Sequence, residues 1–322
     1  MRYWFVATLK ELDKKDRRIL SELDRNCRQS NAEIARKLKL GKHAVSYRTA
    51  QLEKKGTIKN YYTVIDMSCL GWQSYRIYLK LFPMEETDRK TLISYLAESE
   101  LTWWVGEMDG EWDVGFVVWV PGHYEFERFW KAFSEKFQPF VEKNRVSVYL
   151  RFNSYSYGFL SGNTEGRKQF ITGVGGKKKV DGKDLKILRA IADRARMGTV
   201  EIAKASGLSP VQVAYRIKKL TESGVIKGFR ANIQFDDLTL YKADFQLKSP
   251  QGKKSMFAFA LNEKWAMSVD ESIGFADFEL EVLCPTYQEF KGVIERFKAK
   301  FFREIRSCRF GIYSSVAKIK YF

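Results

Sequence analysis

Histidine is nearly absent from this chain: His43 and His123 are the only two among 322 residues. A histidine-rich zinc or iron centre, and most histidine-based acid–base mechanisms, therefore have almost no raw material. Cysteine is equally sparse. Cys27, Cys69, Cys284 and Cys308 lie far apart with no Cys-x-x-Cys pair, which excludes a secreted disulfide framework and leaves buried or incidental thiols. No GxxxxGK[ST] loop, GxGxxG fingerprint or HExxH pair occurs, so nucleotide hydrolysis, Rossmann dehydrogenation and zinc chemistry have no support. No cofactor, metal or catalytic residue is expected, and each lone carboxylate is read as structural. Long apolar runs are also missing. The stretch 3–9 is too short to span a bilayer and has no small-residue cleavage site before the charged segment 10–15, so a cytoplasmic protein without a membrane partner is expected.

What the chain has in excess is positive charge. Lys and Arg total 56 against 39 Asp and Glu, a formal charge of +17 and a pI of about 9.5, which favours a polyanionic partner. With 45% hydrophobic residues the composition is that of a globular protein of several domains.

The chain is also written twice. Segment 12–79 lies on 180–247 at a constant offset of 168, with identities that include Asp13/Asp181, Asp16/Asp184, Arg28/Arg196, Glu33/Glu201, Val45/Val213, Tyr47/Tyr215, Arg48/Arg216 and Gly56/Gly224. Beyond a net four-residue deletion the offset becomes 164, aligning Gly110/Gly274, Asp113/Asp277, Phe126/Phe290 and Phe133/Phe297. The charge follows the repeat: +8 over 12–65 and +6 over 180–233, against −4 over 66–157 and +2 over 234–322. The glycine-rich, basic segment 158–179 reads as a linker that is in part mobile.

In each front half the apolar spacing predicts three helices. Asp13 is placed as the N-cap of the first, Ser30 and Glu33 match a capping box for the second, and Ser209 followed by Pro210 opens the third helix of copy two. The third helices are expected over 42–55 and 210–223, reached through tight turns in which Gly41 and Gly207 supply unusual backbone angles. Gly56 and Gly224 end them, and 57–65 and 225–233 read as extended wings. A short helix, a tight turn and a longer helix form a helix-turn-helix, whose second helix can enter the major groove of DNA. Lys42, His43, Ser46 and Tyr47 are assigned to base edges and Arg48 to phosphate, and Thr49 is grouped with them as not needed for packing. Copy two offers Gln212, Tyr215, Arg216, Lys218 and Lys219.

Each back half reads β-α-β-β-α-β, the ferredoxin-like plan. Its first strand, 75–81, alternates Tyr75, Ile77, Leu79 and Leu81 with Arg76, Tyr78 and Lys80 and is expected to be half-buried. Trp103, Trp104, Trp112, Phe116 and Trp119 are expected on the sheet face away from the helices, to be covered by a second such sheet. The expected class is α+β, with winged helix-turn-helix domains at 12–65 and 180–233 and ferredoxin-like domains at 66–157 and 234–322.

These residues resemble the Lrp/AsnC family of transcription regulators, through D-x-K-D-x-x-I-L at 13–20, the Ile-Ala pair of the second helix, Val-x-Tyr-Arg on the third, Gly-x-Ile after it, and Gly-x-x-Asp at 110–113 and 274–277. Members usually carry one copy and dimerise through the regulatory sheets, so the resemblance implies an intrachain pseudo-dimer or a homo-oligomer. It further implies double-stranded DNA as partner, and a small, amino-acid-like effector near Gly110, Asp113, Gly274 and Asp277, where the residues by themselves read equally well as tight turns with a capping Asp. The same two-domain plan resembles the siroheme decarboxylases, fused tandem enzymes that look to His and Arg in the regulatory half. Here that half offers His123, read as opening a helix.

Overall fold

The computed structural model describes residues 8–322, so residues 3–7 of the opening apolar run lie outside the described residues. Copy one begins with α1 (Lys14–Arg25), α2 (Asn31–Leu38), α3 (Lys42–Lys54) and β1 (Ile58–Ile65). Its back half runs β2 (Gln73–Leu81), α4 (Glu86–Glu98), β3 (Thr102–Gly110), β4 (Val114–Val120), α5 (His123–Phe137) and β5 (Val141–Tyr155). A connector carries α6 (Gly158–Ser161) and β6 (Gln169–Thr172). Copy two repeats the plan with α7 (Gly182–Ile191), α8 (Thr199–Ser206), α9 (Pro210–Glu222), β7 (Ile226–Ile233), β8 (Thr239–Leu247), α10 (Lys253–Asn262), β9 (Ala266–Ile273), β10 (Phe278–Cys284), α11 (Tyr287–Lys300) and β11 (Ile305–Ile319).

The helix ends follow local chemistry. Asp13 accepts from the Asp16 amide, and the capping boxes Ser30–Glu33, Asp181–Asp184 and Ser209–Gln212 are formed. At the turn inside each helix-turn-helix the two copies differ. Gly207 takes the left-handed conformation at φ 69°, whereas in copy one Lys39 takes it at φ 54° and Gly41, expected to do so, stays extended. A Cβ in that region costs about 1–2 kcal/mol, so copy one carries strain at a position where copy two has glycine.

The wings do not fold back on their own domains. β1 and β7 pair antiparallel with each other, Ile58 opposite Ile233 and Ile65 opposite Ile226. Tyr62 therefore faces Arg230, its own counterpart at offset 168, and the axis relating the two copies passes between them. Four backbone bonds obey the same symmetry: Cys27 to Phe229 and Ala195 to Tyr61, Asp66 to Val225 and Gln234 to Thr57.

The regulatory strands close on one another. Within copy one the order is β5-β2-β4-β3, and within copy two β11-β8-β10-β9. The first part of β5 pairs with β2, and its continuation from Val148 to Ser154 pairs with β9 of the other copy; β11 likewise runs from β8 onto β3. Eight strands thus form a ring with helices outside, and β6 adds to β5. Closure of this kind removes the unpaired edges that a lone ferredoxin-like sheet exposes.

Three expectations change. Phe116 lies on the helix side, packed on Phe129 and Phe133, because all of β4 is buried and its even-numbered residues point to the helices. Trp103 and Trp119 pack toward the helix-turn-helix of copy two, and Trp104 and Trp112 face the ring interior. β2 is buried on both faces, Arg76 and Tyr78 included. The connector is ordered: buried Arg167 donates to the carbonyls of Ser156, Leu261, Glu263 and Ala266, and α6 packs on α1.

Candidate nucleic-acid interface

The two recognition helices, α3 and α9, are each held by one buried stripe, Val45, Thr49 and Leu52 in copy one and Val213 and Leu220 in copy two. Thr49 belongs to that stripe and is buried, so it leaves the set of contact residues. The opposite faces are open. Lys42 and His43 are exposed, and Tyr47 and Tyr215 are 67% and 66% exposed at equivalent positions. Large aromatics so placed do no packing work, which leaves them free for a partner. Ser46 is half-buried and accepts from Asn31 Nδ2 at 2.9 Å; Gln212 and Lys219 are exposed.

The arginines behave differently from the expectation. Arg48 Nη1 lies 2.7 Å from Asp13 and 2.8 Å from Asp16, and Arg216 Nη1 lies 2.8 Å from Asp181 and 2.7 Å from Asp184. Each guanidinium clasps the N-cap of the first helix, and the neighbouring carboxylates raise its pKa while it lowers that of Asp13 and Asp181, where the backbone N–H bonds at the cap act most strongly. With two carboxylates satisfied, Arg48 and Arg216 position the recognition helix instead of standing free for phosphate. Gln212 also spends its side-chain oxygen on the Ser209 amide. Val211, the counterpart of His43, was not singled out from the sequence. It is 79% exposed at the start of α9, and the apolar spacing alone could not distinguish it from a packing residue.

The two helix-turn-helix units are fixed relative to each other. Beyond the β1–β7 pairing, Arg28 donates to the Ala195 carbonyl across the axis and lies over Phe229, while Arg196 bonds Asn31 and lies over Tyr61. A cleft of about 280 Å³ lined by Asn60, Tyr61, Arg194 and Arg196 opens beside this junction.

The Gly-x-x-Asp turns are built into the ring. Asp113 accepts from the Leu81 amide at 2.7 Å and from Lys80 Nζ at 2.9 Å; Asp277 accepts from the Leu247 amide at 2.9 Å. Gly110 and Gly274 sit at positive φ where a Cβ would lie 3.2 and 3.3 Å from carbonyls of the crossing strands. Both carboxylates are thus engaged as turn caps, and the glycines allow the close approach of the two copies. His123 is the first residue of α5 and lies against the Tyr124 ring at a tilt. The thiols of Cys27, Cys284 and Cys308 are pushed up to about 12 by burial and stay protonated. Among the described residues, no helix is long and apolar enough to cross a membrane, and no group of His, Cys, Asp and Glu could hold a metal ion.

A winged helix-turn-helix DNA-binding family model matches residues 12–59 and 180–227. The regulator YezC of Bacillus subtilis is 38% identical over 81 residues, 25% of this chain and 58% of its own length. The regulator Rv2324 of Mycobacterium tuberculosis is 39% identical over 71 residues, 22% of this chain and 47% of its own; this chain thus spans about half the length of both. The leucine-responsive regulatory protein of Rhizobium meliloti is 30% identical over 133 residues, 38% of this chain and 81% of its own. Among solved structures, the siroheme decarboxylase NirDL superposes with a TM-score of 0.66 over 96% of this chain and 94% of that one, at 13% identity, a likeness of fold. With its capped helix-turn-helix units, its ferredoxin-like domains and a leucine-responsive regulator matched over 81% of that protein's length, the chain belongs to the Lrp/AsnC family and carries the family's two-domain unit twice.

Proposed function

We propose that this chain is a sequence-specific regulator of transcription that binds double-stranded DNA through α3 and α9, one chain supplying both reading heads. The observation that carries the reading is the pair of open recognition faces, Lys42, His43 and Tyr47 against Val211, Tyr215 and Lys219, on helices tied together across the β1–β7 axis. Two helix-turn-helix units related by a two-fold read two half-sites whose spacing mirrors the protein geometry. The faces differ at their first positions, His43 against Val211, so the half-sites differ too. Imidazole offers a hydrogen bond to a base edge, whereas a valine offers apolar contact of the kind a thymine methyl accepts.

Regulation by a small amino-acid-like effector is the second part of the proposal. The turns at Gly110 and Gly274 are where it would act, because a ligand there alters the fit between strands of the two copies. The test is a salt-titrated gel shift on a genomic fragment pool, with the retained DNA sequenced and the mass of the bound species measured. A two-part asymmetric motif held by a 37.6 kDa species, with affinity falling steeply in salt, is the expected result. Retention without enrichment would leave a non-specific binder, and no retention, together with a spectral shift on adding siroheme, would move the chain to the enzymes that share its fold.

A further inference from the structure

The interior of the strand ring carries buried charge, and its distribution between the copies is lopsided. β2 and β8 correspond at an offset of 166, not the 168 read from the sequence up to residue 79, because copy two is two residues shorter between wing and first sheet strand; the amide bonds of Leu81 to Asp113 and Leu247 to Asp277 fix this, making Lys242 of β8 the counterpart of Arg76 of β2. On β3 and β4 of copy one the interior positions are Trp104, Gly106, Met108, Gly115 and Val117; their counterparts in copy two are Ser268, Asp270, Ser272, Glu279 and Glu281. Copy one therefore places a buried arginine in the ring and no buried carboxylate on its strands, while copy two places Asp270, Glu279 and Glu281 there, with Lys242 beside Asp244.

The contacts cross between copies. Arg76 bonds Asp270, and its Nη1 lies 2.5 Å from Glu279; Tyr78 packs against Phe275 with the rings tilted. Lys242 meets Asp244 and Glu279 within its own copy, the latter at 2.8 Å. Glu281 accepts from Ser268 and from Tyr313. A second pair of the same kind lies at the wing axis, where Arg230 also donates to Ser154 of β5. Asp24 of α1 is fully buried and accepts from Arg230 of β7 at 2.6 Å; the counterpart of Asp24 is Ala192 and that of Arg230 is Tyr62.

We infer that these two buried clusters are a pairing code that makes copy one and copy two partners of each other and rejects pairing of like with like. Two front copies brought together would bury two arginines opposite glycines, and leave each Asp24 facing a tyrosine. Two back copies would crowd two sets of Asp244, Asp270, Glu279 and Glu281 around two lysines, and leave each Arg230 facing Ala192. Unpaired buried charge is rejected strongly, which is how polar residues specify partners at some cost in stability. The code concerns assembly and holds or fails independently of what the recognition helices bind.

The test must remove the covalent tether, since a linker alone favours the intrachain partner by effective concentration. The full chain is made with a protease site in the exposed 162–165 loop, cut after folding, mixed with an isotope-labelled cut chain, and held until label has equilibrated between fragments. Native mass spectrometry then counts front–back, front–front and back–back pairs. The wild type is expected to give front–back pairs alone. Neutralising the ring (Arg76→Met, Asp270→Asn, Glu279→Gln) and the axis (Asp24→Asn, Arg230→Met) is expected to lower that selectivity at least 10-fold each. A combined variant as selective as the wild type would overturn the code and assign pairing to shape. Should the combined variant not fold, Arg76→Asp is compared with Arg76→Asp/Asp270→Arg, since the cation bonding Asp270 is Arg76: recovery of front–back pairs in the double inversion supports the code, and no recovery overturns it.

Discussion

The two copies share a scaffold and differ where they meet something. The N-cap aspartate of the first helix, the arginine clasp on it and the wing pairing coincide residue for residue, because those features are needed to make each fold. On the recognition helix, at the wing axis and inside the strand ring they diverge: His43 against Val211, Tyr62 against Arg230, Gly106 against Asp270. A family member with one copy per chain must use a self-complementary surface, since each residue meets its own symmetry mate. Joining the copies removes that constraint, and here the freedom has gone into heterotypic ion pairs at the centre and unlike exposed faces on α3 and α9 at the periphery.

The comparison can be broken most strongly at the axis. Asp24→Asn leaves Arg230 buried against a neutral amide and is expected to cost about 3–5 kcal/mol, read as a lowered midpoint in urea, whereas Ala192→Asp at the equivalent place in copy two gains no partner. An unchanged midpoint for Asp24→Asn would mean that water reaches Arg230.

At the reading faces, His43→Ala is expected to relax base preference in one half-site alone and Val211→Ala in the other, each by about 1–3 kcal/mol per affected base pair, measured by competition with half-site mutants. Equal losses at both half-sites would show that the faces are not read separately. The turn of copy one offers a gain. Lys39→Gly brings the φ 54° position to the residue copy two already has and is expected to stabilise by up to about 1 kcal/mol, while Gly207→Lys should destabilise by a similar amount.

Protonation of the ring sharpens the contrast more gently. Burial raises Asp270 to about 7, above its ordinary value of 3.8, against the opposing pull of Arg76. A folded carboxyl with a raised pKa binds more protons than the unfolded chain, so its contribution is present at low pH and is lost as pH rises through about 7. The melting temperature of the wild type relative to Asp270→Asn is therefore expected to fall between pH 5 and pH 8. A difference that grows over that range would place the charged form as the stabilising one.

Much of this was legible in residues. Asp13, Ser30 with Glu33, and Ser209 with Pro210 announce helix starts through side-chain chemistry that acts over three residues, and the repeat exposed itself through identities at a fixed offset. The assignments that shifted depend on distant neighbours. Arg48 and Arg216 looked like free cations until the starts of α1 and α7, respectively, supplied their carboxylates from 35 and 32 positions away. Arg76 and Tyr78 looked like the wet side of a strand until a second sheet closed over them. The glycine-rich connector looked loose until Arg167 found four carbonyls.

The sequence by itself determined the local elements, their order and their duplication, because caps, periodicity and turn glycines act within a few residues. Only the tertiary structure decided which strands close the ring, which arginines are bound and which charges are buried together. Those outcomes depend on contacts between residues more than 200 apart, where burial turns a modest surface attraction into a requirement for the right partner.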